Sequence, residues 1–281
     1  MYTNWLLPKT TWKIYLFKLL PNNMVASFIL NTKAEFLKSR RTAAFWLTVV
    51  GAAFVPIVSS IRLLARPDHF IPVFKKDPWL RIINDDWQAG SFFLLPMFVI
   101  LVTSLVVQIE YKNNTWKQVY ASPRSMADIF MSRFIVIHTL ILLAFILFNA
   151  FIIVTACAVN LFQKGYYFFD NPVPWKTLFA LTAKLYFSVL AITSIQYWLS
   201  LRFRNFIIPV GIGLALLITG FMIHQWEQLY YYPYMYPAIF FVPDFQKKAG
   251  FIYNAQVFDL IWFAGVLLIA FWDMATRKEK G

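Results

Sequence analysis

Six stretches of this sequence are apolar over about twenty residues each, the length a helix needs to cross the roughly 30 Å hydrocarbon core of a bilayer. They fall at about 43–64, 90–109, 134–160, 177–200, 206–225 and 257–273. The chain as a whole is 60% hydrophobic and only 14% charged, against about 45–50% and 25% in a soluble domain. Too few charges remain to wet a surface, so a soluble globular enzyme and a disordered chain are both excluded. The pattern predicts an all-α integral membrane protein with six transmembrane helices. Residues 1–42 form an N-terminal segment, 43–273 the transmembrane domain and 274–281 a short tail. Pro56 in the first run is tolerable where neighbouring helices satisfy the carbonyl it frees. The first run is too long for a signal-peptide core, and Lys9, Lys13 and Lys18 interrupt the segment before it.

The net charge of +13 would suggest nucleic acid in a soluble protein. Here it reports topology. With the N-terminus inside, 16 of the 26 Lys and Arg fall in cytoplasmic segments and 8 in outer loops, leaving Arg62 and Lys184 in or beside spans. The positive-inside rule counts only Lys and Arg and therefore places both termini in the cytoplasm. The chain is thus expected to be a multi-pass membrane protein, in contact with lipid and not with nucleic acid.

The segments between spans carry their own patterns. In Met24–Arg41, the residues Val25, Phe28, Ile29, Thr32 and Phe36 recur at helical spacing, with Lys33, Glu35, Lys38, Arg40 and Arg41 mainly elsewhere. That is the pattern of an amphipathic helix in the membrane interface, cations toward anionic lipid; a plain basic anchor is the alternative. Trp12, Tyr15, Leu16 and Leu19 suggest a shorter surface helix ending at Pro21. Between the second and third runs, Asn114 or Thr115 can cap a short helix through Trp116, Lys117, Val119 and Tyr120. Pro123 ends it, and Ser125-x-x-Asp128 resembles a capping box for the next span. This short helix can dock a partner or pack on its own membrane domain; the residues leave both open.

The loop 226–256 holds eleven aromatic residues, Tyr231, Tyr232, Tyr234 and Tyr236 among them, and Pro233, Pro237 and Pro243 cut it into short pieces. An aromatic belt at the membrane boundary is the simpler reading and an outer gate the sharper one. The loop 65–89 carries both signs of charge and reads as a solvated outer segment; its Asp85-Asp86 pair is far short of a calcium loop. Lys184 lies in the fourth run, and Asp259 opens the sixth at the same expected depth. An intramembrane Lys184–Asp259 pair is the hypothesis that follows.

Catalytic chemistry finds little support. Cys157 is the single cysteine and sits in an apolar run, where a packed, inert thiol is expected. His138 and His224 belong to opposite ends of their spans, so one haem cannot use both. The chain has no H-E-x-x-H, no G-x-S-x-G and no phosphate-binding loop. No catalytic residue, metal site or resident cofactor is therefore expected.

Two stretches resemble a known family. Lys33-Ala34-Glu35-Phe36-Leu37-Lys38-Ser39-Arg40-Arg41-Thr42 before the first span is similar to the basic lead-in of small ABC-2 type permeases related to bacitracin-export and lantibiotic-immunity systems. Ile109-Glu110-Tyr111-Lys112-Asn113-Asn114-Thr115-Trp116-Lys117, followed by Ser122-Pro123-Arg124-Ser125, resembles the segment those permeases carry after span two. The resemblance implies a permease subunit, an exporter, that pairs with a second copy and binds two separate ABC ATPase subunits in the cytoplasm. ATP and Mg would then belong to the partner. It further implies that residues 113–120 form the coupling helix, with Glu35, Lys38, Arg40 and Arg41 as a second contact. A non-transport membrane scaffold for a cytoplasmic complex is the other reading.

Overall fold

A computed structural model describes residues 24–112 and 125–276. The expected surface helix near Trp12–Leu19, the expected coupling helix at 113–120 and the end of the tail lie outside the described residues. Everything regular within them is helical. Chain order gives α1 (Met24–Ser39), α2 (Ala43–Ala65), α3 (Pro67–Phe74), α4 (Pro78–Ala89), a π-helical turn (Gly90–Leu94), α5 (Leu95–Lys112) and α6 (Met126–Phe162). After these come α7 (Trp175–Phe187), α8 (Leu190–Arg202), α9 (Ile207–Met222), α10 (Tyr236–Ile239), α11 (Pro243–Lys247) and α12 (Phe251–Thr276).

Five helical stretches are long and apolar enough to cross a membrane: Ala43–Ala65, Pro78–Ile109, Met126–Phe162, Trp175–Arg202 and Phe251–Thr276. The fifth expected span is shorter than the sequence suggests. Ile207–Met222 has 16 residues, which rise about 24 Å at about 1.5 Å per residue. The chain then turns through Ile223 rather than continuing to residue 225. Conversely, α6 has 37 residues, about 55 Å at the same rise, and so outruns a hydrocarbon core by several turns. Its start is fixed as the capping pattern predicts: the Ser125 hydroxyl accepts from the Asp128 amide at 3.0 Å.

Helices α5, α8 and α12 run in the same direction, their C-terminal ends tied together. On one side α2 and α6 pack along each other and on α5; on the other, α8 lies between α5 and α12, and α9 completes the layer. Polar side chains join α5, α8 and α9 where lipid offers no substitute. Gln196 donates to the Ser104 hydroxyl (2.9 Å) and the Pro209 carbonyl (2.8 Å), and Ser104 and Ser200 share a hydrogen bond of 3.1 Å. Gly213 lets α9 approach: a Cβ there would stand 2.6 Å from Gln196 Oε1 and 3.0 Å from Ile100. The outward faces stay greasy. Trp46, Val50, Phe54, Ile57, Val58 and Ile61 of α2 are exposed, as are Leu260, Ile261, Leu268, Ile269 and Trp272 of α12. A surface of this kind suits hydrocarbon and would be a liability in water.

The two ends of the bundle are finished differently. At the α1 end, Arg202 pairs with Asp273 at 3.2 Å and Gln108 donates to the Phe203 carbonyl at 3.0 Å, tying the ends of α5, α8 and α12. At the far end, the expected solvated loop 65–89 is instead two helices with a packed face. Phe74, Trp79, Ile82, Ile83 and Trp87 are buried. The Trp79 indole donates to the carbonyls of Phe168 (2.9 Å) and Asn171 (3.0 Å), and the Tyr166 hydroxyl donates to Leu63 at 2.7 Å. Much of the mixed charge that suggested solvation lies on the other face, where Arg81 pairs with Asp85 at 3.1 Å, but Asp86 is buried with the packed side chains. The second span consequently begins at Pro78 rather than at Gly90, and the π turn sits where Pro96 lacks the amide an α-helical ladder would use.

The close approach at Gly213 yields a stability test. Gly213→Ala must push Gln196, which is already held by two hydrogen bonds, and should cost about 1–3 kcal/mol by overpacking. Gly211, with nothing within 4 Å of its would-be Cβ, is the control: Gly211→Ala should leave the melting temperature in detergent unchanged or raised, while Gly213→Ala lowers it.

Candidate functional site

The fourth span is interrupted. Its two halves, α7 and α8, meet at Ser188 and Val189. The sequence favours a break there because Ser188 turns its hydroxyl back onto the Leu185 carbonyl (2.7 Å), competing with the helical ladder. The Val189 amide then reaches only Tyr186, at 3.4 Å, three residues back. A break exposes the first amides of α8 in a region without water, where an unmet amide is costly. Asp259 of α12 answers this: its Oδ1 accepts from the Ala191 amide at 3.1 Å. An acidic group at a helix N-terminus also meets the positive end of the helix dipole.

Beside this junction lies a cavity of about 400 Å³. Lys184, Phe187 and Ser188 of the broken span line it, with Tyr236 and Phe240, and with Gln256, Asp259 and Leu260 of α12. The sequence hypothesis placed Lys184 and Asp259 together. The structure brings them to one cavity without an ion pair between them among the described residues. Asp259 is only 2% exposed and serves the α8 amide, whereas Lys184 is exposed.

The tyrosine-rich segment forms the third wall. It is a string of short helical turns, Leu229–Tyr231, Pro233–Met235, α10 and α11, folded inward against α8, α9, α12 and the π turn. Irregular backbone at membrane depth requires such protein cover. Tyr234 and Tyr236 are each 2% exposed, whereas Tyr231, at 41%, is open, as are Trp226 and Tyr253 toward the ends of the aromatic loop. Tyr232 donates to the Leu216 carbonyl at 2.6 Å, Tyr236 to Tyr230 at 2.9 Å, and Trp262 to Tyr231 at 3.1 Å. Gly220 admits the segment, since a Cβ there would meet Met235 at 2.7 Å. Burial, then the Asp259 charge beside it, holds the Tyr236 phenol above its ordinary range, so it stays a neutral donor. Burial does the same to Tyr234.

The second group of sequence candidates sits at the α1 end. Helix α1 forms, and of the stripe read in the sequence Phe28, Thr32 and Phe36 are half-buried, Phe36 packing on the core, while Ile29 is exposed. Glu35 and Ser39 are buried beside them and the Thr32 and Ser132 hydroxyls lie 3.4 Å apart, so polar residues share the contact with α6 while Leu30 and Leu37 are exposed. Glu35 pairs with Lys38 at 2.9 Å and acts electrostatically on the buried Arg133 of α6. It belongs to the α1–α6 joint, whereas Lys38, Arg40 and Arg41 are exposed. Arg41 also lines a cleft of about 920 Å³ with Leu105, Gln108 and Arg204. Asn114, Thr115, Trp116, Lys117, Val119 and Tyr120 lie outside the described residues.

No group of His, Cys, Asp and Glu able to hold a metal occurs among the described residues. His138 bonds the Tyr186 hydroxyl at 2.9 Å and His224 the Phe221 carbonyl at 2.8 Å. Sequence reasoning missed the broken span and its acceptor. The available signal was Asp259 itself, since a carboxylate in an apolar run demands a donor.

A multi-pass helical membrane protein with a split span and an inward-folded loop is the class this architecture defines. Residues 32–220 match the family described as ABC-2 family transporter protein, and the chain belongs to that family. It is thus a membrane component of a transport system, of a kind that works with an ABC ATPase partner. No curated protein and no solved structure matches it.

The Asp259 bond gives a graded prediction. Asp259→Ala leaves the Ala191 amide without an acceptor and should cost about 1–3 kcal/mol. Asp259→Asn keeps an oxygen in place and should retain most of that stability. The order of melting temperatures, wild type first, Asn next and Ala last, is the measurement.

Proposed function

We propose that this chain is the transmembrane subunit of an ATP-driven exporter in the bacterial plasma membrane. Membership of the ABC-2 family over residues 32–220 carries the reading. Two copies pair in the membrane and bind two ATPase subunits, which hold ATP and Mg. Ile207–Met222 serves as the fifth of six spans, extended at its far end by the inward-folded tyrosine segment, and both termini are cytoplasmic. The helix α1 rests at the cytoplasmic interface, where its exposed Lys33, Lys38, Arg40 and Arg41 favour anionic lipid or an acidic ATPase surface.

Coupling runs through the segment 113–120, with Lys38, Arg40 and Arg41 beside it. That segment joins α5 to α6, so a push on it reaches both sides of the bundle. Coupling needs an element with two discrete arrangements, and the split fourth span against α12 is the place this fold offers one. At the far end the tyrosine segment acts as an outer gate. Support comes from its seating on α8, α9 and α12, the helices that any change of access must shift.

Capture of the tagged full chain from its native membrane tests the reading. The expected companion is an ABC ATPase whose hydrolysis rises in the complex. Trp116→Ala with Tyr120→Ala should cut ATPase recovery at least about tenfold, the loss of roughly 1.4 kcal/mol of docking, while membrane insertion stays intact. Recovery of a cytoplasmic complex without ATPase would point to a scaffold instead, and unchanged ATPase recovery from the double variant would remove the docking role from this segment.

A further inference from the structure

The cavity at the split span holds opposite charges that do not neutralise one another. Asp259 uses one oxygen on the Ala191 amide; its other oxygen, Oδ2, takes no hydrogen bond among the described residues. Lys184, on the same lining, makes no ion pair or hydrogen bond among them either. Both lie deep. Lys184 is nine residues into α7 and Asp259 eight into α12, about 14 and 12 Å from the far ends of those helices at the usual rise. At this depth a buried carboxylate calls for a partner or a polar ligand, and the exposed Lys184 can turn its long stem toward the same ligand or toward the interface.

The rest of the site is shaped for an amphiphile. The volume of about 400 Å³ falls in the range of small-ligand sites, roughly 300–1,000 Å³. Gln256 and Tyr236 add polar atoms near the carboxylate, while Phe187 and Leu260, 54% and 51% exposed, flank the opening between α7 and α12. A ligand entering there keeps its chain in hydrocarbon and its head inside the protein.

We propose that this cavity binds the head of a zwitterionic amphiphile, an ammonium against Asp259 and a phosphate or carboxylate against Lys184. A head with both charges satisfies both side chains. An anionic or purely cationic head leaves one of them unpartnered, and a neutral head leaves both. The inference goes beyond the transport reading and does not depend on the ATPase.

The test uses the full chain in nanodiscs and four probes with the same eighteen-carbon, singly unsaturated chain. These are lysophosphatidylethanolamine, lysophosphatidylglycerol, oleylamine and monooleoylglycerol. Wild type should bind the zwitterion about tenfold or more tighter than each of the others, the size of one charge-assisted hydrogen bond. Asp259→Asn should erase its advantage over lysophosphatidylglycerol, and Lys184→Gln its advantage over oleylamine. Lys184 is exposed, so its variant decides the matter even where Asp259→Asn folds poorly. Equal binding of the four probes by wild type, a zwitterion preference that survives Lys184→Gln, or cross-linking of Phe187 to a second copy that closes the opening would overturn the proposal.

Discussion

A helix broken at membrane depth leaves amides that no water can reach, and the distal half of this fold is organised around answering one of them. Asp259 supplies the acceptor for Ala191. To do so α12 must lie along α8, which is the closest helix pairing on that side of the bundle. Once α12 is fixed there, the tyrosine segment that precedes it has nowhere to go but inward. Its carbonyls and hydroxyls are met by Leu216, Tyr230 and Trp262. The cavity is what remains between the two half-helices, α12 and that segment.

The α1 end follows a different rule. There, charge is held by charge: Glu35 with Lys38, and Arg202 with Asp273. Exposed pairs of this kind add little stability singly. The Arg202–Asp273 pair ties the end of α8 to α12, whereas Glu35–Lys38 lies within α1, which rides on the overlong first turns of α6 and presents its remaining cations outward. The two ends thus divide the work. One is a rigid, aromatic-packed cap built on Trp79 and Tyr166, and the other is a basic face with a cleft beside Arg41.

The sequence was read well where an apolar run is long and unbroken. The third span, its Ser125 cap and the last span fall close to where length and patterning placed them. It is less legible where one side chain changes meaning with its partner. Glu35, expected at the docking surface, is buried at the α1–α6 contact. The charges of 65–89 looked like a solvated loop, yet they belong to packed helices, with Arg81 and Asp85 outward and Asp86 buried. Lys184 and Asp259 looked like a pair, but the carboxylate had a nearer claim on it. In each case the missing information was the identity of the neighbour, which spacing along one helix does not carry.

What the sequence determined by itself is the class: helical, multi-pass, basic at one end. Hydrocarbon length and the cost of burying charge act on composition alone and need no tertiary contact to be effective. What only the tertiary structure decided is which polar groups meet. The acceptor that answers the break, the inward fold of the tyrosine segment and the unpaired oxygen of Asp259 depend on residues 16 to 68 positions apart coming within a few ångströms, and local propensity has no reach over that distance.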